Sequence, residues 1–139
     1  MGTGDFLRQT TLFSGCGDDE IATVLSTAKE REFAEGDVIV RQGHPGGAGF
    51  YLVLSGSVEV RRDGAVVASR GPGEFFGEMA LLLDDTPRSA DVVATSPTRC
   101  LVITKWDLRA MLAAHPELGV RMMSELARRL SEADRTLSP

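Results

Sequence analysis

The chain has few of the residues that build disulfide frameworks, metal sites and membrane spans. It contains two cysteines and two histidines in 139 residues. Cys16 and Cys100 stand far apart and outside any ligand or disulfide spacing pattern, so we expect two reduced, partly buried thiols. No apolar run approaches the ~20 residues that span a bilayer, and the N-terminus lacks the apolar core of a signal peptide. These absences predict a cytoplasmic protein that does not enter a membrane.

An excess of positive charge is also missing. The net charge is −5 and the pI is about 5.0, whereas domains that bind nucleic acid usually carry a basic patch. The basic pairs Arg61-Arg62 and Arg128-Arg129 are interpreted as solvated faces. Direct nucleic-acid binding is therefore not expected. The 42% of hydrophobic and 25% of charged residues are typical of one compact globular domain.

The pattern of apolar and turn residues divides this domain into three parts. Residues 1–31 form a predicted helical segment, in which "DDEIATVLSTAKER" has helical apolar spacing and an N-cap at Asp18 or Asp19. Residues 32–104 alternate short β-branched runs with glycine turns, which predicts an antiparallel sandwich or barrel with a hairpin at Asp63-Gly64. Residues 105–137 return to helical spacing, with one helix over "WDLRAMLAAH" and a second helix beginning at Pro116.

The second of these C-terminal helices carries one apolar stripe. The stripe favours packing on the domain alone or packing on a twin helix as well. Its members are Leu118, Met122, Leu126, Leu130, Ala133 and Leu137.

One segment of the strand region, "EFFGEMALLLDDTPRSADVV" (74–93), breaks the alternation. It predicts a short helix beginning near Gly77, whose free N–H groups suit an anion. Glu78 lies among apolar residues and needs a donor or a cation, and Arg88 has a fork of donors that fits a phosphate. In one interpretation, Arg88 holds a phosphate while Glu78 accepts hydrogen bonds from a neighbouring sugar hydroxyl. In the other, Glu78 and Arg88 form a structural salt bridge.

The motif "FGEMAL…PRSA" resembles the phosphate-binding cassette of the cyclic nucleotide-binding domain family, which includes catabolite activators and protein kinase A regulatory subunits. The similarity extends over nearly the whole chain, through the opening "LF", "FYLVLSGSVEV" and "HPEL…MMSELARRL". It implies a single domain over 1–139, mainly β, with an eight-stranded antiparallel β-roll of jelly-roll type. The cassette spans 73–90, with a short helix of its own, and helices flank the roll at both ends.

The resemblance also implies a function and a set of site residues. The ligand is a cyclic nucleotide, with cAMP favoured by Ser89 and cGMP kept as the alternative. Glu78 is expected to accept the ribose 2′-hydroxyl, Arg88 to neutralise the cyclic phosphate, and backbone N–H groups to complete the cradle. The residues implied are Val60, Val67, Gly77, Glu78, Met79, Ala80, Arg88, Ser89, Ala90 and Asp134.

Two departures from the family pattern bear on the function. Ala133 and Asp134 stand where bacterial activators often place threonine and a small polar residue, so Asp134 is the remaining acceptor for an adenine amino group. The helix-turn-helix reader of those activators has no counterpart here, and the chain is either a free-standing sensor, as the initial Met1 and the acidic pI favour, or a regulatory domain of a longer regulator.

The expected protein is a non-enzymatic sensor without cofactor or metal. Its C-terminal helices move when the nucleotide binds, its last helix offers a surface for a homodimer, and an unidentified protein effector receives the signal. Two alternatives remain. One is a scaffold that keeps the fold and binds no nucleotide. The other is a metal enzyme of the cupin architecture, which His44 and His115 support poorly because they form no ligand cluster.

Overall fold

A computed structural model describes residues 2–43, 49–78 and 88–137 of the chain, with side chains up to residue 133. These ranges contain four helices, which are 7 to 22 residues long, and eight strands. The helices are α1 (Thr3–Gln9), α2 (Asp18–Thr27), α3 (Lys105–Ala114) and α4 (Pro116–Leu137). The strands are β1 (Lys29–Phe33), β2 (Val38–Val40), β3 (Gly49–Ser55), β4 (Val58–Arg62), β5 (Ala65–Arg70), β6 (Phe75–Phe76), β7 (Asp91–Ala94) and β8 (Thr98–Thr104).

The strands form two four-stranded antiparallel sheets. One sheet has the order β1-β8-β3-β6 and the other has the order β2-β7-β4-β5. Both sheets join strands that are distant in sequence, since β1 pairs with β8 and β2 pairs with β7. This is the mainly β, jelly-roll type of architecture with flanking helices that the sequence predicted.

Alternation along β3 divides the core into two layers. Phe50, Leu52 and Leu54 point from one face of the first sheet toward the helices, where they pack with Leu108 of α3 and Met122 of α4. Successive side chains of a strand point to opposite faces, and Val53 accordingly joins a second cluster between the two sheets. The members of this second cluster are Val40, Val53, Val58, Phe76, Val92 and Cys100. The helices therefore cover the outer face of one sheet, and the second sheet covers its inner face.

The boundary between the N-terminal helices and the β-roll differs from the prediction. β1 begins at Lys29 and pairs with β8 from Lys29 opposite Val102, so the last residues assigned to the helical segment 1–31 are a strand. Pairing along β8 outweighs the helical spacing of this polar run. The N-cap of α2 is Gly17, with no side-chain cap bond. Asp18 and Asp19 lie instead in the first turn, where their charge favours the positive end of the helix dipole.

The apolar stripe of α4 is divided between two environments. Leu118 and Met122 are 3% and 2% exposed and belong to the core, and Leu126 packs against it. Leu130 is 64% exposed. Of the two alternatives, packing of the whole stripe on the domain alone does not fit the exposed Leu130.

Both cysteines are free thiols. Burial raises the pKa of Cys100 to about 12, and burial, followed by a hydrogen bond that the thiol donates to Glu20, raises the pKa of Cys16 to about 11. Neither thiol is activated at neutral pH, because the thiolate is the reactive form. Among the described helices, none combines the length and the apolar character that a membrane span requires.

Two glycine turns connect consecutive strands, one within a sheet and one between the two sheets, and they differ in their surroundings. Asp63 and Gly64, with φ of 53° and 83°, form the predicted turn between β4 and β5. Gly56, with φ of 88°, turns the chain between β3 and β4. A Cβ at Gly56 would lie 2.4 Å from the carbonyl oxygen of Pro97 and 2.5 Å from Oγ1 of Thr98, whereas a Cβ at Gly64 would meet nothing within 4 Å.

This contrast separates backbone strain from steric overlap. Gly64→Ala has only the positive φ to accommodate, and we expect it to lower the free energy of unfolding by about 1–2 kcal/mol. Gly56→Ala meets the same strain and must also displace the β7–β8 turn, which adds about 1–3 kcal/mol. Urea denaturation of both variants measures the difference. Equal losses in the two variants would contradict the close packing at Gly56.

Candidate functional site

The site begins where β6 ends. β6 pairs with β3 through Tyr51 opposite Phe76 and Leu52 opposite Phe75, and the rings of Tyr51 and Phe76 stack with centroids 4.8 Å apart. Gly77 follows with φ of 87°. A Cβ at this position would lie 2.9 Å from the carbonyl oxygen of Gly49 and 3.0 Å from Nη1 of Arg88. Gly77 is therefore required both by its backbone conformation and by the close approach of the arginine.

Arg88 is buried at this turn and is held by backbone oxygens. It is 7% exposed, its Nη1 donates to the carbonyl of Gly77 at 3.1 Å, and its Nη2 donates to the carbonyl of Gly49 at 3.0 Å. These two bonds join the start of β3 to the end of β6. They orient the guanidinium without neutralising it, because a carbonyl carries no net charge.

The charge of Arg88 is consequently costly. Burial lowers the pKa of Arg88, while Tyr51 and Glu78 act in the opposite direction. An arginine keeps its charge inside proteins, and an unneutralised buried charge is unfavourable unless it is paired. An anion placed against Arg88 would relieve that cost.

Glu78 forms its ion pair with a different arginine. Its Oε1 accepts from Nη1 of Arg129 at 3.2 Å, and the two side chains are 13% and 12% exposed. The predicted alternative of a structural Glu78–Arg88 salt bridge is therefore wrong. The pair that forms instead connects the cassette residue Glu78 to Arg129 of α4.

Arg129 makes further contacts in the same place. Its Nη2 donates to the carbonyl of Phe75 at 2.7 Å, its guanidinium carbon lies 4.3 Å from the centroid of the Phe75 ring, and its Nε donates to Glu125 at 3.3 Å. A guanidinium at this distance from a ring is attracted by the π-face. One side chain of α4 thus holds the helix against β6 and the cassette.

The sequence interpretation of Arg128-Arg129 as a solvated pair is wrong for Arg129. The signal was present in the spacing, because Arg129 follows Leu126 by three residues and Met122 by seven and so lies on the inner face of the helix. Arg128, by contrast, pairs on the outer side with Glu125 and Glu132. A charged residue on an otherwise apolar face is the feature that could have identified it.

A cavity of about 280 Å³ opens beside these groups, near the lower end of the ~300–1,000 Å³ typical of small-molecule sites. It brings together most of the predicted site residues: Val60, Val67, Gly77, Glu78, Arg88, Ser89 and Ala90. Met79 and Ala80 lie outside the described residues. Asp134 belongs to α4, but its side chain lies outside the described ones.

Several lining residues were not predicted from the sequence. Arg62 reaches the cavity from β4 and donates through Nε to the carbonyl of Ser89 at 3.1 Å. Arg70 lines it from β5 and Arg129 lines it from α4. Ala133 lines it too, at the position that the resemblance assigned to the base. The remaining unpredicted members are Val40, Ala68, Phe76 and Val92. Within the described ranges, no three His, Cys, Asp or Glu side chains gather as metal ligands do.

The chain is similar to proteins of one family. The family profile described as "Cyclic nucleotide-binding domain" matches residues 30–115. The cyclic AMP receptor protein of Thermus thermophilus is 38% identical over 133 residues, which cover 92% of this chain and 61% of that protein. A cAMP-dependent protein kinase regulatory subunit of Yarrowia lipolytica is 43% identical over 86 residues, covering 62% of this chain and 22% of the subunit.

The fold agrees with a solved structure as well. The crystal structure of the Thermus thermophilus catabolite activator protein superposes with a TM-score of 0.80 over 92% of this chain and 62% of that one, at 38% identity. The chain spans less than two thirds of the length of these curated relatives. The profile match, the two sheets and the cavity between Arg88 and Glu78 lead to one conclusion: the chain belongs to the cyclic nucleotide-binding domain family.

Proposed function

We propose that this cavity binds cAMP and that the domain acts as a non-enzymatic, cytoplasmic sensor of that nucleotide. The observation that carries the proposal is the buried guanidinium of Arg88, which contacts carbonyl oxygens and, among the described residues, no carboxylate. A cyclic phosphate is a monoanion with two exocyclic oxygens, and it matches the fork of donors on an arginine. The cAMP-binding names of the relatives support the choice of ligand.

Glu78 is the proposed acceptor for the ribose 2′-hydroxyl. An ionised carboxylate offers about four lone-pair sites, and the contact with Arg129 uses one of its two oxygens. Glu78 is therefore able to accept a hydroxyl while it holds Arg129. The nonpolar walls at Val60, Val67 and Ala133 suit the faces of a base.

This arrangement also supports a route for the output. The ligand contacts Glu78, Glu78 holds Arg129, and Arg129 is part of α4. A ligand shifts a conformational equilibrium only by its differential affinity for the two states. In the proposed mechanism the ligand favours the state in which Arg129 is docked, so α3 and α4 change position with occupancy. The protein effector that responds to this movement stays a prediction.

Substitution of Arg88 tests the ligand assignment. Arg88→Leu should remove a charge-assisted contact worth ~1.5–3 kcal/mol and weaken cAMP binding roughly 10- to 150-fold. Calorimetric titration with cAMP and then with cGMP measures the change, and thermal unfolding confirms that the variant is folded. Arg99→Leu is the matched control, because Arg99 forms an exposed pair with Glu30 on β1.

The outcomes separate the alternatives. Stronger binding of cGMP than of cAMP by the wild type would reassign the ligand within the same site. Unchanged affinity in folded Arg88→Leu would contradict the role of Arg88. No binding of either nucleotide by the wild type would favour the scaffold that keeps the fold without the ligand.

We further propose that two copies associate along α4. Val120, Met123 and Leu130 are 51%, 63% and 64% exposed, and Ala127 between them is exposed as well. Their spacing of three, four and three residues is the a/d pattern of a two-stranded coiled coil. A second copy of the same helix is the matching partner, because in a parallel pair about a two-fold axis each seam residue faces its equivalent.

A charge in the seam tests this association. Leu130→Glu should convert a dimer into a monomer, since like charges would face each other across an apolar interface. Sedimentation analysis over a range of concentrations measures the mass, with Val66→Glu, at an exposed valine of β5, as the control. A wild type that stays monomeric, or a Leu130→Glu variant that stays dimeric, would contradict the proposal.

A further inference from the structure

Arg70 has a buried donor for which the described structure provides no acceptor. It lies at the end of β5, opposite Val58, and it lines the cavity. Its Nη1 donates to the carbonyl of Ser69 at 3.0 Å. Its Nε is buried and has no hydrogen-bond partner in the part of the chain that the structure describes. A buried donor left unpaired is destabilising and is rare in folded proteins.

The acidic side chains near Arg70 bond to other groups, and among the described residues none of them accepts from Nε of Arg70. Glu74 accepts from the backbone N–H of Gly71 at 2.9 Å. Glu78 and Glu125 both accept from Arg129. Burial lowers the pKa of Arg70, and the nearby charge of Arg129 lowers it further, while Glu74, Glu78 and Glu125 act in the opposite direction. These carboxylates attract Arg70 from a distance, and none of those described gives its Nε a hydrogen bond.

We propose that Arg70 is a further ligand-binding residue of this cavity, and that the bound nucleotide supplies the acceptor that its guanidinium lacks. The inference rests on the proposed function. Arg88 is assigned to the phosphate and Glu78 accepts from the sugar, so neither offers what Arg70 needs. An arginine only donates, and the nucleotide presents acceptors on the ribose oxygens and on the ring nitrogens and carbonyls of the base. Arg70 recognises one of these.

Substitution of Arg70 should change stability and nucleotide affinity in opposite directions. Arg70→Met keeps a long, flexible side chain and removes the unpaired donor and the charge. The melting temperature of the ligand-free protein should therefore rise by several degrees. Affinity for the nucleotide should fall by about 5- to 100-fold, because the contact formed only with ligand is lost. If Arg70 only supported the fold, its substitution would not raise the melting temperature and lower the affinity for the nucleotide together.

The control is Arg61→Met on the neighbouring strand β4, where Arg61 pairs with Glu59 and does not line the cavity. Thermal unfolding without ligand and calorimetric titration with cAMP, cGMP and cyclic UMP complete the design. An equal loss of affinity for all three ligands places the acceptor on the ribose phosphate that they share, and unequal losses place it on the base. Both results support the contact.

The outcomes also distinguish this inference from the function on which it rests. If the wild type binds a nucleotide and Arg70→Met binds it equally well or more tightly, the Arg70 contact is overturned and the proposed function stays intact. Absence of binding by the wild type to all three nucleotides would overturn the proposed function, and the Arg70 contact with it.

Discussion

A buried positive charge that carbonyl oxygens orient but do not neutralise is the constraint on which the site depends. Arg88 joins the start of β3 to the end of β6 through Gly49 and Gly77. Gly77 has to be glycine, because a side chain there would meet both the Gly49 carbonyl and the guanidinium. The stacked pair of Tyr51 and Phe76 fixes the strands on either side. The roll thus presents the buried guanidinium of Arg88 at the edge of the cavity, where the proposed ligand would supply an anion.

The position of α4 depends on a second, weaker set of contacts. Its first half is fixed by apolar burial, since Leu118 and Met122 are almost inaccessible. Its second half meets the roll through Arg129, which contacts Glu78 and Phe75, while Leu130 faces outward. A partly buried ion pair contributes little net stability, because desolvation offsets much of the attraction, yet loss of one partner leaves an uncompensated charge. The docking of the second half of α4 therefore depends on Glu78, a residue that lines the cavity.

The sequence predicted the fold class, the Asp63-Gly64 hairpin and the start of α4 at Pro116, because turn residues and periodicity act locally. It also placed Gly77, Glu78 and Arg88 in one site through their resemblance to a family motif. The partner of Glu78 was not predicted, since it comes from α4 and depends on how that helix docks. Arg70 was missed for a similar reason: its alternation with Ala68 shows that they share a strand face, but only the assembled cavity shows that Nε has no acceptor among the described residues. The boundary at Lys29 was misjudged because pairing with β8 overrides local helical spacing.

In the proposed complex, the anionic phosphate of the ligand neutralises the charge of Arg88. Competitive titration of the unaltered protein with cAMP and with its uncharged methyl phosphotriester tests this directly, because the two ligands share base and sugar and differ at the phosphate. We expect cAMP to bind and the triester to bind at least about 10-fold more weakly, as a charge-assisted contact requires. Equal affinities would show that the phosphate charge is not what Arg88 recognises.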